Sequence, residues 1–161
     1  MTASEYNKCV TEHADALYRF ILKNIKDSDK AKDIIQDTYE KMWVKSADIN
    51  PEKAKSYLFT AAYRTMIDSI RRDKKQTDLS EANLKSLSHT RQYSDVQEIL
   101  HKAVDLLPED QRAVVLLRDY EGYSYEEIEE ITGLSQSQVK VYIFRARVFL
   151  KKYIGSKEVL V

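Results

Sequence analysis

Ser124-Tyr125-Glu126-Glu127-Ile128-Glu129-Glu130-Ile131-Thr132-Gly133-Leu134-Ser135-Gln136-Ser137-Gln138-Val139-Lys140 contains two helix starts separated by one glycine turn. Ser124 with Glu127, and Ser135 with Gln138, each match S-x-x-E/Q. In that pattern a hydroxyl and the side chain three residues on satisfy each other's exposed backbone amides, which stabilises the helix start by about 1 kcal/mol. A short capped helix, a tight turn at Thr132-Gly133-Leu134 and a longer capped helix make a helix-turn-helix. Ile128, Ile131, Leu134, Val139, Tyr142 and Ile143 are spaced to pack the two helices together. The second helix, expected from Gln136 to about Ile154, would be about 28 Å long. It carries Lys140, Arg145, Arg147, Lys151 and Lys152. Its first turns suit the major groove and its basic remainder suits phosphates.

Upstream of this motif, Val96, Ile99, Leu100, Ala103, Val104 and Leu107 share one helical face, and Pro108 opens another helix that should end near Gly122. Charge is segregated here. From Leu106 to Glu130 there are eight acidic residues against two basic ones, whereas from Ile131 to Lys157 there are six basic residues and no acidic one. One local surface therefore suits phosphates and its neighbour suits a basic or polar protein partner.

Further upstream, Gln76 to Ser94 is rich in Ser, Thr, Asn and Gln, with only scattered Leu79, Leu84, Leu87 and Tyr93. So little apolar surface cannot offset the entropy of ordering, and a flexible linker is expected over 76–94, between domains at 1–75 and 95–161. The first domain reads as three helices. From Ser4 to Asn24, Val10, Ala14, Leu17, Tyr18, Ile21 and Leu22 recur at helical spacing. Ala31, Ile34, Ile35, Tyr39, Met42 and Trp43 do the same in a second helix, with Asp29 placed as its N-cap. After a loop at Ser46 to Asn50, Pro51 opens a helix expected to reach about Lys75. Its apolar stripe is Phe59, Ala62, Tyr63, Met66, Ile67 and Ile70, and Tyr57, Thr60, Arg64, Asp68, Arg71 and Lys75 line another face.

The fold class expected is thus all-α, two small helical domains joined by a flexible linker. Three Gly and two Pro in 161 residues, with no alternating apolar and polar run, agree with it. The lone Cys9 cannot form an internal disulfide and sits in no Cys/His cluster, which fits a reducing compartment and predicts no zinc or redox site. The N-terminus has no signal-like apolar core, and no run approaches the ~20 apolar residues that span a bilayer, so a cytoplasmic protein without membrane insertion is expected. With 26 basic and 26 acidic residues the net charge is zero, which argues against coating nucleic acid by charge alone. His13, His89 and His101 stand apart from any nucleophile, glycine-rich phosphate loop or metal pattern, so no catalytic residue, cofactor or metal is expected.

Two long strings then point to one family. Leu107-Pro108-Glu109, Arg112, Asp119-Tyr120-Glu121-Gly122-Tyr123-Ser124-Tyr125-Glu126-Glu127-Ile128, Gly133-Leu134-Ser135, Val139-Lys140 and Phe144-Arg145-Ala146-Arg147 closely resemble the C-terminal promoter-binding domain of extracytoplasmic-function sigma factors. Asp33-Ile34-Ile35-Gln36-Asp37-Thr38-Tyr39 with Trp43, and Tyr57-Leu58-Phe59 followed by Ile67-Asp68-Ser69-Ile70-Arg71-Arg72, resemble the same family's N-terminal domain.

The resemblance implies a sigma subunit of RNA polymerase with three surfaces. Asp33, Gln36, Asp37, Glu40, Lys41 and Trp43 would dock on the clamp helices of the polymerase's largest subunit. Tyr57, Thr60, Arg64, Arg71, Arg72, Lys74 and Lys75 would open and hold the minus-ten element, the cations on the backbone and Tyr57 stacked on an unpaired base. Ser135, Gln136, Ser137, Gln138, Lys140, Val141, Phe144, Arg145, Arg147 and Lys151 would read the minus-thirty-five element. An anti-sigma factor is a further partner that the resemblance implies. Phe59 and Tyr63 read as core by their place on the apolar stripe, and Phe144 fits either core or DNA.

Two positions depart from the family pattern. Tyr63-Arg64 stands where an Arg-Asn pair is usual, and Glu129 stands where a helix-turn-helix normally has a small residue. The alternative reading, a helix-turn-helix regulator of duplex DNA, accounts for Ser124 to Ile154 but leaves the Asp33–Trp43 and Tyr57–Lys75 surfaces without a purpose.

Overall fold

The computed structural model describes residues 1–80 and 96–157. Every regular element among them is helical: α1 (Ala3–Ile25), α2 (Ser28–Val44), α3 (Ala54–Ser80), α4 (Val96–Asp105), α5 (Glu109–Val115), α6 (Tyr125–Thr132) and α7 (Gln136–Lys157). Short 3-10 turns at Ser46–Asp48 and Pro51–Lys53 join α2 to α3, and a π-helical turn, Leu116–Tyr120, continues α5.

Local chemistry sets the helix starts. Thr2 and Glu5 form a reciprocal cap on α1, which ends at Lys26 in the left-handed region, with φ of 61°. The next helix then starts sooner than expected. Asp27, not Asp29, is the N-cap of α2, its carboxylate accepting from the amides of Asp29 and Lys30 at 3.0 and 3.2 Å. Asp27-Ser28-Asp29 offers three capping residues in a row, and the first to follow the turn takes the role. At the far end, α3 runs to Ser80, beyond the Lys75 expected, because residues 76–80 contain neither glycine nor proline to stop it. The rest of the expected linker, 81–94, lies outside the described residues.

α1, α2 and α3 bury Leu17, Phe20, Ile21, Ile34, Met42, Leu58, Phe59, Ala62 and Met66 between them. Thr38 is fully buried as well, and its hydroxyl is satisfied by donating to the Ile34 carbonyl at 2.7 Å. Trp43 shares the spacing of this core but not its burial. Met42 takes the inward position with no exposure, and Trp43, one residue further round the helix, is 51% exposed.

In the other half, Val104, Val114, Leu116, Leu117, Ile128, Ile131, Val139 and Ile143 are buried where α4, α5, α6 and α7 meet. Arg112 is buried beside them. Its guanidinium donates to the Leu107 carbonyl at 3.0 Å, pinning the α4–α5 turn, and burial pulls its pKa down against the opposing charges of Asp105 and Glu109. The two halves share one hydrophobic cluster, which runs from Cys9 to Ile143. Phe59 is its hinge pin, with Phe20 at 6.3 Å on one side and Tyr123 edge-on at 5.3 Å on the other.

Candidate nucleic-acid interface

Both capping boxes read from the sequence are formed. The Ser124 hydroxyl accepts from the Glu127 amide at 3.1 Å and the Glu127 carboxylate accepts from the Ser124 amide at 2.9 Å. Ser135 and Gln138 repeat the pair at 3.1 and 2.9 Å. Between them Gly133 takes φ of 78°, a left-handed conformation that strains any residue with a Cβ, and its amide closes α6 on the Glu129 carbonyl at 2.8 Å. Ile128, Ile131, Val139 and Ile143 lie in the joint between α6 and α7, each at most 3% exposed. Leu134 and Tyr142 pack against them, and Glu129 is half-buried.

The outer side of α7 is open. Ser135, Gln136, Ser137, Gln138, Lys140, Val141, Phe144, Arg145, Arg147 and Lys151 are all exposed. Phe144, which spacing left between core and surface, is 67% exposed, with Val141 at 41% and Val148 at 39% on the same side. An apolar stripe in water flanked by cations has no folding purpose, and it matches the thymine methyls and phosphates of a major groove. The cations differ among themselves. Arg147 forms a two-pronged ion pair with Asp119, at 3.1 and 2.5 Å, which raises its pKa. Lys140 lies 5.7 Å from the Tyr125 ring centre.

The expected minus-ten face of α3 is divided in two. Arg64, Arg71, Arg72, Lys74 and Lys75 are exposed, and the Arg71 guanidinium comes within 4.0 Å of Glu109. Towards the helix start, Tyr57 is half-buried against the core and the Thr60 hydroxyl faces the Glu130 carbonyl of α6 at 3.4 Å. Phe59 is fully buried and Tyr63 is 6% exposed, so both are core. Burial, with Asp110 next in effect, pushes the Tyr63 phenol up to about 12.

On α2, Asp33, Gln36, Glu40 and Lys41 are exposed and Asp37 is half-buried. Lys41 pairs with Asp37 at 3.1 Å and donates to the Thr65 hydroxyl at the same distance, which ties this face to α3. Trp43 stands edge-on to Tyr6 at 5.0 Å, and Val44 beside it is 79% exposed. Sequence reasoning misses Val44, since a single valine at a helix end carries no pattern. It misses Tyr123, Glu130 and the Arg19–Glu121 pair too, because contacts between distant segments leave no local signal.

Among the described residues no cluster of three or more His, Cys, Asp or Glu is placed to hold a metal, and no helix is long and apolar enough to cross a membrane. The chemistry of these faces is recognition: cations, hydroxyls, amides and apolar contacts on helices fixed by a shared core.

A helix-turn-helix with an open, cation-flanked apolar stripe, packed on a three-helix unit with its own basic helix, defines a promoter-binding protein of the sigma-70 class. Residues 9–76 match Sigma-70 region 2 and residues 97–150 match Sigma-70, region 4. RNA polymerase sigma factor SigV of Bacillus subtilis is 34% identical over 141 residues, covering 86% of this chain and 84% of that one. ECF RNA polymerase sigma factor SigM of the same organism is 29% identical over 140 residues, covering 84% and 86%. The sigma factor RpoE of Bartonella quintana, solved in complex with the anti-sigma factor NepR, superimposes with a TM-score of 0.79 at 26% identity, covering 95% of this chain and 98% of that one. The chain belongs to the extracytoplasmic-function group of the sigma-70 family of RNA polymerase sigma factors. It directs transcription initiation with core RNA polymerase at promoters carrying minus-thirty-five and minus-ten elements.

Proposed function

We propose that this initiation function is divided among three helix faces. The exposed run from Ser135 to Lys151 on α7 reads the minus-thirty-five element. Its open apolar stripe, Val141, Phe144 and Val148, is the observation that carries the assignment, because nothing in the fold uses it. Arg64, Arg71, Arg72, Lys74 and Lys75 hold the backbone of the opened minus-ten strand, with Tyr57 and Thr60 nearest the bases. Asp33, Gln36, Asp37, Glu40, Lys41 and Trp43 dock on the clamp helices of the polymerase's largest subunit, an acidic and amide-bearing face meeting a protein partner.

In this reading residues 1–75 and 95–161 are the two working units, with 76–94 between them. The chain has no catalysis of its own and works in the cytoplasm. An anti-sigma factor is its regulator, a proposal supported by the likeness to a sigma factor solved with one. Run-off transcription with core polymerase on a randomised promoter library tests the assignment. Two enriched elements at a fixed spacing are expected. A single duplex element bound tightly without polymerase would point instead to a helix-turn-helix regulator.

A further inference from the structure

Two consecutive residues of the π-helical turn Leu116–Tyr120 act on α7 by different routes. Asp119 does so directly, through its two-pronged ion pair with Arg147. Arg118 does so through an intermediary. Its guanidinium donates to the Tyr123 carbonyl at 2.9 Å, and the guanidinium carbon lies 4.5 Å from the centre of the Tyr125 ring. The same ring has the Lys140 ammonium 5.7 Å from its centre. A cation of the π turn and a cation of α7 therefore meet at a tyrosine that belongs to neither element. That ring is well fixed. Tyr125 is the first residue of α6, directly after the Ser124 cap, and it is half-buried against the shared hydrophobic cluster. Lys140, by contrast, is exposed.

A lysine on an open helix face has a long flexible stem, and fixing it on a base edge costs rotamer freedom that a preformed support reduces. A cation within about 6 Å of a tyrosine ring centre is drawn to the ring by its quadrupole, weakly in water. Such an attraction contributes little to the fold but is enough to bias a side chain. We propose that Tyr125 is a positioning residue for promoter reading: its ring, steadied by Arg118, gathers the Lys140 ammonium and so sets the base preference at that point of α7. The proposal rests on the assignment of Lys140 to base edges of the minus-thirty-five element. It also gives the π turn a purpose. Such turns recur at functional sites, and this one serves two cations of the reading helix with adjacent residues, Asp119 for Arg147 and Arg118, through Tyr125, for Lys140.

The test uses holoenzyme reconstituted with full-chain variants and a promoter library randomised at the minus-thirty-five element. Tyr125→Leu removes the ring and Tyr125→Phe keeps it. Tyr125→Leu should weaken the best promoter by about three- to fivefold and relax preference at the same base pairs as Lys140→Ala. Tyr125→Phe should stay within about twofold of the unaltered chain, with its preferences intact. In the Lys140→Ala background, Tyr125→Leu should add less than about twofold, since the ring then has nothing to position. A purely structural role for Tyr125 predicts instead a uniform loss at all promoters, or a loss that adds in full to that of Lys140→Ala, and either result would overturn the proposal. Circular dichroism melting checks that the variants are folded. Should Tyr125→Leu fail to fold, the unaltered chain still decides. Proton NMR of the free protein should place the Lys140 ε-methylene upfield of a solvated lysine through the ring current of Tyr125, and a resonance at the solvated position would overturn the proposal. Lys140→Ala keeps the two levels of assignment apart. If it relaxes preference while Tyr125→Leu does not, positioning fails and base readout by Lys140 stands. If Lys140→Ala itself leaves the preferences unchanged, base readout fails and the positioning falls with it.

Discussion

α3 and α7 are both long, both carry cations along one side, and both are assigned to DNA, yet the fold treats them differently. α3 lies in the centre of the molecule. Leu58, Phe59, Ala62, Tyr63, Met66 and Ile67 are all buried, and its first turns are covered by α6. α7 packs along one side only, through Val139, Ile143 and Ala146, and shows Val141, Phe144 and Val148 to water. A helix that must accept unpaired bases does so after duplex opening, and its start can be held in reserve. A helix that meets an intact major groove must be displayed from the outset.

The sharpest way to break this comparison is to remove one phenylalanine from each helix. Phe59→Ala leaves a cavity between Phe20 and Tyr123 and should cost about 3–5 kcal/mol of stability, with both halves affected because the cluster is shared. Phe144→Ala should change stability by less than about 0.5 kcal/mol, as a surface substitution does, while weakening promoter binding. Chemical denaturation of the two variants reads the difference. Similar losses of stability would mean that the outer stripe of α7 packs into the core as the buried stripe of α3 does.

The next largest effect tests whether a third face delivers both helices to the promoter. Gln36→Ala with Asp37→Arg should weaken binding to core polymerase tenfold or more, about 1.4 kcal/mol, with helix content intact, because Gln36 is exposed and Asp37 only half-buried. Unchanged affinity in a titration would remove α2 as the docking helix.

How much of this was legible depended on range in sequence. The helix-turn-helix was readable almost to the atom, because capping boxes and a glycine turn are local devices whose partners lie three or four residues apart. The buried stripes of α1, α2 and α3 followed from periodicity, although periodicity could not choose between Met42 and Trp43, neighbours of similar hydrophobicity. The N-cap of α2 was displaced because three capping residues stand together and only the geometry of the preceding turn selects one. The pairing of the halves through Arg19–Glu121, Phe59–Tyr123 and Ser56–Glu130 was invisible. Those partners are separated by 102 residues in the first case and 74 in the last, and nothing in either segment alone marks the other.

Within α7 the comparison narrows to two lysines. Lys140 lies just past the first turn after the Ser135 cap, on the open face beside Val141 and Phe144, the face proposed to meet base edges. Lys140→Ala should cost ~1–3 kcal/mol on the best promoter and relax preference at one or two base pairs. Gel-shift competition across a promoter library, with polymerase present, measures that relaxation.

Lys151 gives a smaller effect than Lys140 and the cleanest contrast with it. It is exposed like Lys140 but lies eleven residues further along the same helix, about 16 Å by the helical rise, so in the proposed docking it should reach phosphate at most. A cation on phosphate contributes chiefly by releasing counterions, a term blind to sequence. Lys151→Ala should therefore weaken every promoter by about the same factor, under ~1 kcal/mol, and lower the slope of log affinity against log salt by about one unit. Arg147 bounds the same argument from the other side: with its guanidinium held by Asp119, its replacement should move the salt slope less than that of Lys151. If Lys140→Ala and Lys151→Ala gave the same uniform loss across the library, Lys140 would be a phosphate-positioning residue, and readout of the minus-thirty-five element would rest on the first turn of α7 and its apolar stripe alone.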